Sequence, residues 1–210
     1  MKQKIKIIAY IAALLVFLAG SYLTAFVAPL DENGKPVLPQ EEAENVDYLS
    51  LHWQEMMDEV NANAVDLAEL LQAAGGDLKT VTDKYCTGSG KNFTITSKGI
   101  IIDANTTSKA AYLVFQPADV QTDYVFHLQI GPIFKGTALR DSLTCIKFSD
   151  FDNQMEWSAL SSEIAQRIKT TILDTHDMEN MKGKTVSFTG CFTLGSDKTL
   201  KIMPVVFSEE

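Results

Sequence analysis

Few side chains in this 210-residue chain are of the kinds that carry out chemistry, and their spacing limits what they can do. His52, His127 and His176 stand far apart and form neither an HxxxH nor an HExxH pattern. The zinc-hydrolase arrangement of two ring nitrogens one helical turn apart is therefore missing. Cys86, Cys145 and Cys191 match no zinc spacing and include no CxxC; three thiols permit at most one intramolecular disulfide. Cys145 (LTCIKF) and Cys191 (TGCFTL) stand in strand-like runs, where a thiol serves as a small apolar side chain. Cys86–Lys91 (CTGSGK) is glycine-rich but lacks the phosphate-loop spacing, and reads instead as a flexible hinge between subdomains. Asp150 and Asp152 form an acid pair, but a glycosidase needs its second carboxylate across a cleft. Asn92-Phe-Thr and Asn105-Thr-Thr fit the short glycosylation sequon. No catalytic residue, metal ligand or cofactor is assigned from these patterns, and they point away from an enzyme.

One stretch invites a binding role: QIGPIFKGTALRDSLTCIKFSDFDNQMEW, Gln129 to Trp157. Gly131, Pro132 and Gly136 allow sharp turns and close backbone approach. Lys135, Arg140 and Asp141 follow, and Arg140 is one of two arginines in the chain, with Arg167. A guanidinium fork suits a carboxylate, a phosphate or several carbonyls. Lys135 and Arg140, with Asp141 beside them, are the candidate site for an anion or small polar ligand. In the competing reading Arg140 pairs with Asp141, Asp150 or Asp152 and staples a strand-to-helix turn. On balance the stretch is architecture.

Those residues need elements to hold them. From Val46 to Ala74 the apolar residues Leu49, Trp53, Met56, Val60, Leu67 and Leu71 recur at helical spacing, with Trp53 in the packing stripe. Gly75-Gly76 stops the helix, and Asp77 caps a short successor. From Lys91 the pattern changes to runs rich in β-branched and aromatic residues: NFTITS, GIIIDAN, AAYLVF, YVFHLQI, SLTCIKF, KTVSFTG and TLKIMPVVF. In YVFHLQI, Phe126, Leu128 and Ile130 face inward, with His127 and Gln129 on the other face. One helix interrupts them over 153–174, capped by Asn153 with Glu156. The expectation is an α+β chain with a helical domain at 45–88 and a strand-rich domain at 89–210. Strands that do not alternate with helices favour a small antiparallel barrel over a βαβ sheet.

Ahead of these, Lys2, Lys4 and Lys6 precede an uncharged run over residues 7–27. At ~1.5 Å per residue it reaches about 31 Å, enough to cross a hydrocarbon core. An uncleaved signal-anchor is favoured over a cleaved signal peptide, whose apolar region is shorter. Either reading of residues 1–29 leaves residues 31–210 outside the cytoplasm, with 30–44 as a linker containing Asn33-Gly34, Pro36 and Pro39. Three of the 18 basic residues and none of the 27 acidic ones fall in the first thirty, so residues 31–210 carry a net charge of −12. Such a surface repels phosphate backbones, which argues against nucleic acid.

The Gly131-Pro132…Gly136-Thr-Ala-Leu-Arg140-Asp141 run, Phe151…Asn153-Gln154…Glu156, and Met181-Lys-Gly-Lys-Thr-Val-Ser-Phe-Thr-Gly-Cys-Phe-Thr-Leu194 carry a resemblance. With Pro29-Leu30-Asp31, the Trp53 helix and the closing Met203-Pro204-Val205, they resemble a bacterial family of predicted periplasmic lipoproteins of unknown function, often encoded beside sugar ABC transporters. The resemblance implies a helical domain joined to an OB-like barrel, and an accessory protein associated with sugar uptake. Its partner would be a transporter component or a small polar ligand; a pure envelope scaffold is the alternative, and a carboxylate-dependent hydrolase a remote one. The resemblance supplies no catalytic residue. One departure stands out: where the family carries Leu-Ala-Gly-Cys for lipid attachment, this chain has Leu18-Ala19-Gly20-Ser21. Serine has no thiol for the thioether, so the apolar run beyond it would serve as the anchor.

Overall fold

The computed structural model describes residues 48–118 and 120–210, all within one compact unit. The anchor expected over residues 7–27 and the linker at 30–44 lie outside the described residues. Among the described residues no helix is long and apolar enough to cross a membrane. The boundary anticipated near residue 88 falls inside the unit.

Helix α1 runs Tyr48–Asn63 and buries Leu49, Met56 and Val60. The single helix expected over 46–74 is broken here. Val65–Asp66 form a two-residue strand, β1, whose pairing with Ile95 and Thr96 outweighs continued helix. Asp66 then caps α2 (Leu67–Ala74), its carboxylate accepting from the N–H groups of Ala68 and Glu69 at 2.9 and 3.0 Å. Gly75 closes α2 at φ 58°. Asp77 caps a 3-10 turn over Leu78–Val81, followed by α3 (Thr82–Tyr85) and the short β2 (Cys86–Thr87).

The barrel strands are β3 (Asn92–Asn105), β4 (Ala110–Pro117), β5 (Val125–Pro132), β6 (Thr185–Thr193) and β7 (Thr199–Glu209). They run in the order β3-β4-β5-β7-β6, and β6 pairs back onto β3, which closes the sheet. Closure leaves no free edge among these five. Four of the pairings are antiparallel, whereas β5 and β7 run parallel, a departure from the all-antiparallel expectation. The crossover that parallel pairing needs holds the inserted helices. NFTITS and GIIIDAN are one strand, β3, with a register shift between Ile101 and Asp103. Inside, Phe115 meets Phe126 and Phe188 edge-on at 6.3 and 5.0 Å, and Phe93 stacks on Phe192 at 5.2 Å.

The crossover begins with α4 (Ala138–Ser142), and α5 (Gln154–Thr171) covers the barrel with Leu160, Ile164 and Ile168. Asn153 caps α5 as its spacing predicts; Glu156 accepts from the Asp152 N–H and from Asn153 Nδ2. SLTCIKF, expected to be a strand, is an irregular loop that runs into the 3-10 helix Phe148–Asp150. Leu143 and Ile146 are buried, while the N–H groups of Thr144 and Cys145 donate to the Glu59 carboxylate of α1 at 2.8 and 2.9 Å instead of to a ladder. CTGSGK is not a free hinge: a Cβ at Gly88 (φ +64°) would stand 2.1 Å from the Asp141 carbonyl, and the Ser89 N–H donates to that carbonyl at 2.8 Å.

Candidate functional site

Arg140 projects from α4 toward α5, and its side chain is 10 % exposed. Nε donates to Asp141 Oδ1 at 2.8 Å, Nη2 stands 2.6 Å from the same oxygen, and Nη1 donates to the Trp157 carbonyl at 2.9 Å. The guanidinium also lies over the Trp157 ring, 4.4 Å from its centroid. Asp141 Oδ2 accepts from the Thr137 hydroxyl at 2.5 Å. All three nitrogens of the fork therefore have partners inside the fold, Asp141 among them.

The other arginine repeats the device. Arg167 lies over the Trp53 ring at 4.7 Å and donates to Ser50 Oγ at 3.1 Å. Each arginine thus covers one of the two tryptophans, and together they tie α5 to α4 and to α1. This is where Trp53 belongs: partly buried against the core, beneath a guanidinium.

Lys135 is held by its backbone. The Gln129 side chain accepts from its N–H at 2.6 Å and donates to its carbonyl at 3.2 Å, closing the loop that carries Gly131, Pro132 and Gly136. The strand pattern put Gln129 on the outer face with His127, yet it is buried as a loop clamp. Gly131 has φ 74°, and a Cβ there would meet the Phe134 ring at 2.7 Å. A groove of about 580 Å³ beside α4 is lined by Gly88, Arg140, Thr144, Lys147, Phe148 and Trp157, among others. Lys135 does not line it, so the two cations singled out in the sequence do not converge there.

Two surfaces escaped the sequence reading. At the helical pole, ring contacts run from His52 to Tyr48 (4.3 Å), Tyr48 to Phe151 (4.8 Å), Phe151 to Trp157 (5.3 Å) and Trp157 to Phe148 (6.1 Å). These rings come from three separate segments, so no local period announces the strip. On the barrel, Ile102, Val114, Gln116 and Val125 line a groove of about 350 Å³ on the outer side of β3, β4 and β5. Tyr112 and His127 lie stacked on the same β4–β5 pair, at 4.0 Å and 10°. Burial, helped by Lys201, lowers the His127 pKa, so this ring is neutral at pH 7.

The thiols show no nucleophilic environment. Cys191 is buried beside Thr94 Oγ1 and Ser142 Oγ, and desolvation raises its pKa. Cys145 is pushed up to about 12 by desolvation and by Glu59. Among the described residues no group of three His, Cys, Asp or Glu side chains could hold a metal ion. Asn92, the first sequon asparagine, is buried; Asn105 ends β3.

Among solved structures, the chain is similar to an OB-fold protein, tm0957, from Thermotoga maritima. The two are 17 % identical, with a TM-score of 0.62, over 78 % of this chain and 96 % of that one. At that identity the likeness concerns the fold, and it supports the OB-like barrel traced above. No curated protein matches. Residues 11–208 match the family described as predicted periplasmic lipoprotein (DUF2291), so the chain belongs to that family and to the cell envelope.

Proposed function

We propose that the chain is a non-enzymatic accessory protein of the envelope, tethered by its N-terminal segment, that works by binding a partner protein beside a sugar-uptake system. The observation that carries this reading is the contrast between its polar and apolar groups. Both guanidinium groups are engaged within the fold, Arg140 by Asp141 and Trp157 and Arg167 by Trp53 and Ser50, while the outer barrel face leaves Ile100, Ile102 and Val125 exposed around a groove lined by uncharged residues. Exposed apolar side chains grouped around a groove suit a contact face. The link to sugar uptake rests on the family resemblance alone.

A second reading has its own support. The Tyr112–His127 stack lies on the strand 2–3 side of the barrel, where OB folds often take ligands, and a small polar ring could lie on it. Thermal unfolding of the full chain with sugars, nucleosides, phosphates and divalent ions separates the two. A ligand at ~100 times its dissociation constant adds about 2.7 kcal/mol. A ligand-specific rise lost in Tyr112→Ala establishes the second reading. With no rise, co-purification with sugar-transporter components, lost in Ile102→Asp, supports the first; no co-purification overturns it.

A further inference from the structure

We propose that the aromatic strip at the helical pole rests on the headgroup layer of the membrane to which the chain is tethered. The inference depends on the tethered reading above, and concerns a surface separate from the barrel face.

Position is the first argument. The described chain begins at Tyr48, inside the strip, and only residues 28–47 separate it from the end of the apolar run. At ~3.3–3.6 Å per residue those residues cannot extend beyond ~70 Å. The strip thus stands where the chain enters the folded unit, the part of that unit with the shortest tether to the membrane.

Composition is the second. Tyrosine and tryptophan pair an apolar ring with a polar edge, and they concentrate where hydrocarbon gives way to headgroups. Beside the strip stand the exposed side chains of Leu51, one turn after Tyr48, and of Phe148, at 65 % and 54 %. Phe148 meets the Trp157 ring edge-on yet stays more than half exposed, as does Leu51, and both could enter the interface without unfolding anything.

Charge selects the lipid. Around the strip stand Glu55, Asp150, Asp152 and Glu156 against Lys147 and Arg140, an acidic excess without a polybasic cluster. Asp150 accepts from Tyr48 Oη and the Lys147 N–H, Glu156 accepts from Asp152 and Asn153, and Glu55 stands 3.3 Å from His52 Nδ1, so three of these acids are partly engaged. Such a rim repels anionic headgroups. It suits zwitterionic ones, whose ammonium groups can meet carboxylates and ring faces.

The test uses the full chain in phosphatidylethanolamine–phosphatidylcholine vesicles, with lipids brominated near the headgroup as short-range quenchers. Trp53→Phe leaves Trp157 as the reporter, and Trp157→Phe leaves Trp53. The expected result is that the chain floats with the vesicles and Trp157 is quenched several-fold more than Trp53. That excess falls in Leu51→Ser/Phe148→Ser and when phosphatidylglycerol replaces the zwitterionic lipid. If the chain floats but Trp157 is no more quenched than Trp53, or is quenched equally in the serine variant, the contact is overturned and the tether stands. If the chain does not float, the tether fails and the contact with it.

Discussion

Replacing Arg140 by alanine removes a cation over Trp157, a hydrogen bond to the Trp157 carbonyl and the counter-charge of Asp141. The stacking contributes about 1 kcal/mol for a half-covered ring. A charge-assisted hydrogen bond contributes about 1.5 kcal/mol. Stranding a fully buried acid costs about 3–5 kcal/mol. Asp141 keeps the Thr137 hydroxyl and is 25 % exposed, so only part of that applies. The expected loss is about 3–5 kcal/mol. For a protein of this size each kcal/mol moves the midpoint by ~2–4 °C. Urea unfolding followed by circular dichroism, extrapolated to water, measures the loss directly. Arg140→Lys should recover part of it, because an ammonium keeps the charge but not the fork or the stack. A double-mutant cycle with Asp141→Asn should give a coupling of about 1–2 kcal/mol. A loss under ~1 kcal/mol with an unchanged slope is what a solvated surface pair gives. That result would refute the internal staple and return the guanidinium to a ligand.

Other perturbations probe separate joints. Burial acts to raise the Glu59 pKa, but the hydrogen bonds from Thr144 and Cys145 together outweigh it and leave the pKa below the ordinary 4.5. Its contribution is present above that value and is lost as pH falls through the folded pKa. Glu59→Gln should cost about 1–2 kcal/mol at pH 7, and its deficit against wild type should shrink below pH 4.5 in urea titrations. Burial raises the pKa of Cys86, Cys145 and Cys191, so the native thiols should react with a disulfide reagent far more slowly at pH 8 than the same thiols in urea. Gly88→Ala should destabilise more than Gly183→Ala in the same unfolding assay. Both have positive φ, but only at Gly88 does the new methyl meet backbone, which has to shift.

Local signals were legible where local physics decides. Asn153 and Asp77 were readable as caps because a side-chain oxygen two or three residues ahead of free N–H groups needs nothing distant. Gly75 was readable as a stop for the same reason. The strand runs of the barrel were visible in their alternation, apart from SLTCIKF. There the apolar residues Leu143 and Ile146 bury as expected, but Glu59, 85 and 86 residues earlier in the chain, takes the N–H groups a ladder would have used. The helix break at Val65 was hidden for a related reason, since its cause is the Ile95 partner in β3.

The sequence by itself determined the class of this protein: a lysine-led apolar segment, an acidic body behind it, and helices before strands. Each of these is a property of composition or of neighbours within a few residues. Tertiary structure alone decided which groups stand within 3 Å of the Arg140 guanidinium, here Asp141 and the Trp157 carbonyl, because α4 and α5 meet only in the fold. It alone assembled the ring strip from α1, the turn before α5 and α5 itself, and it alone closed β6 onto β3. Contacts across such separations leave no period in a sequence; they exist only once the chain has been folded onto itself.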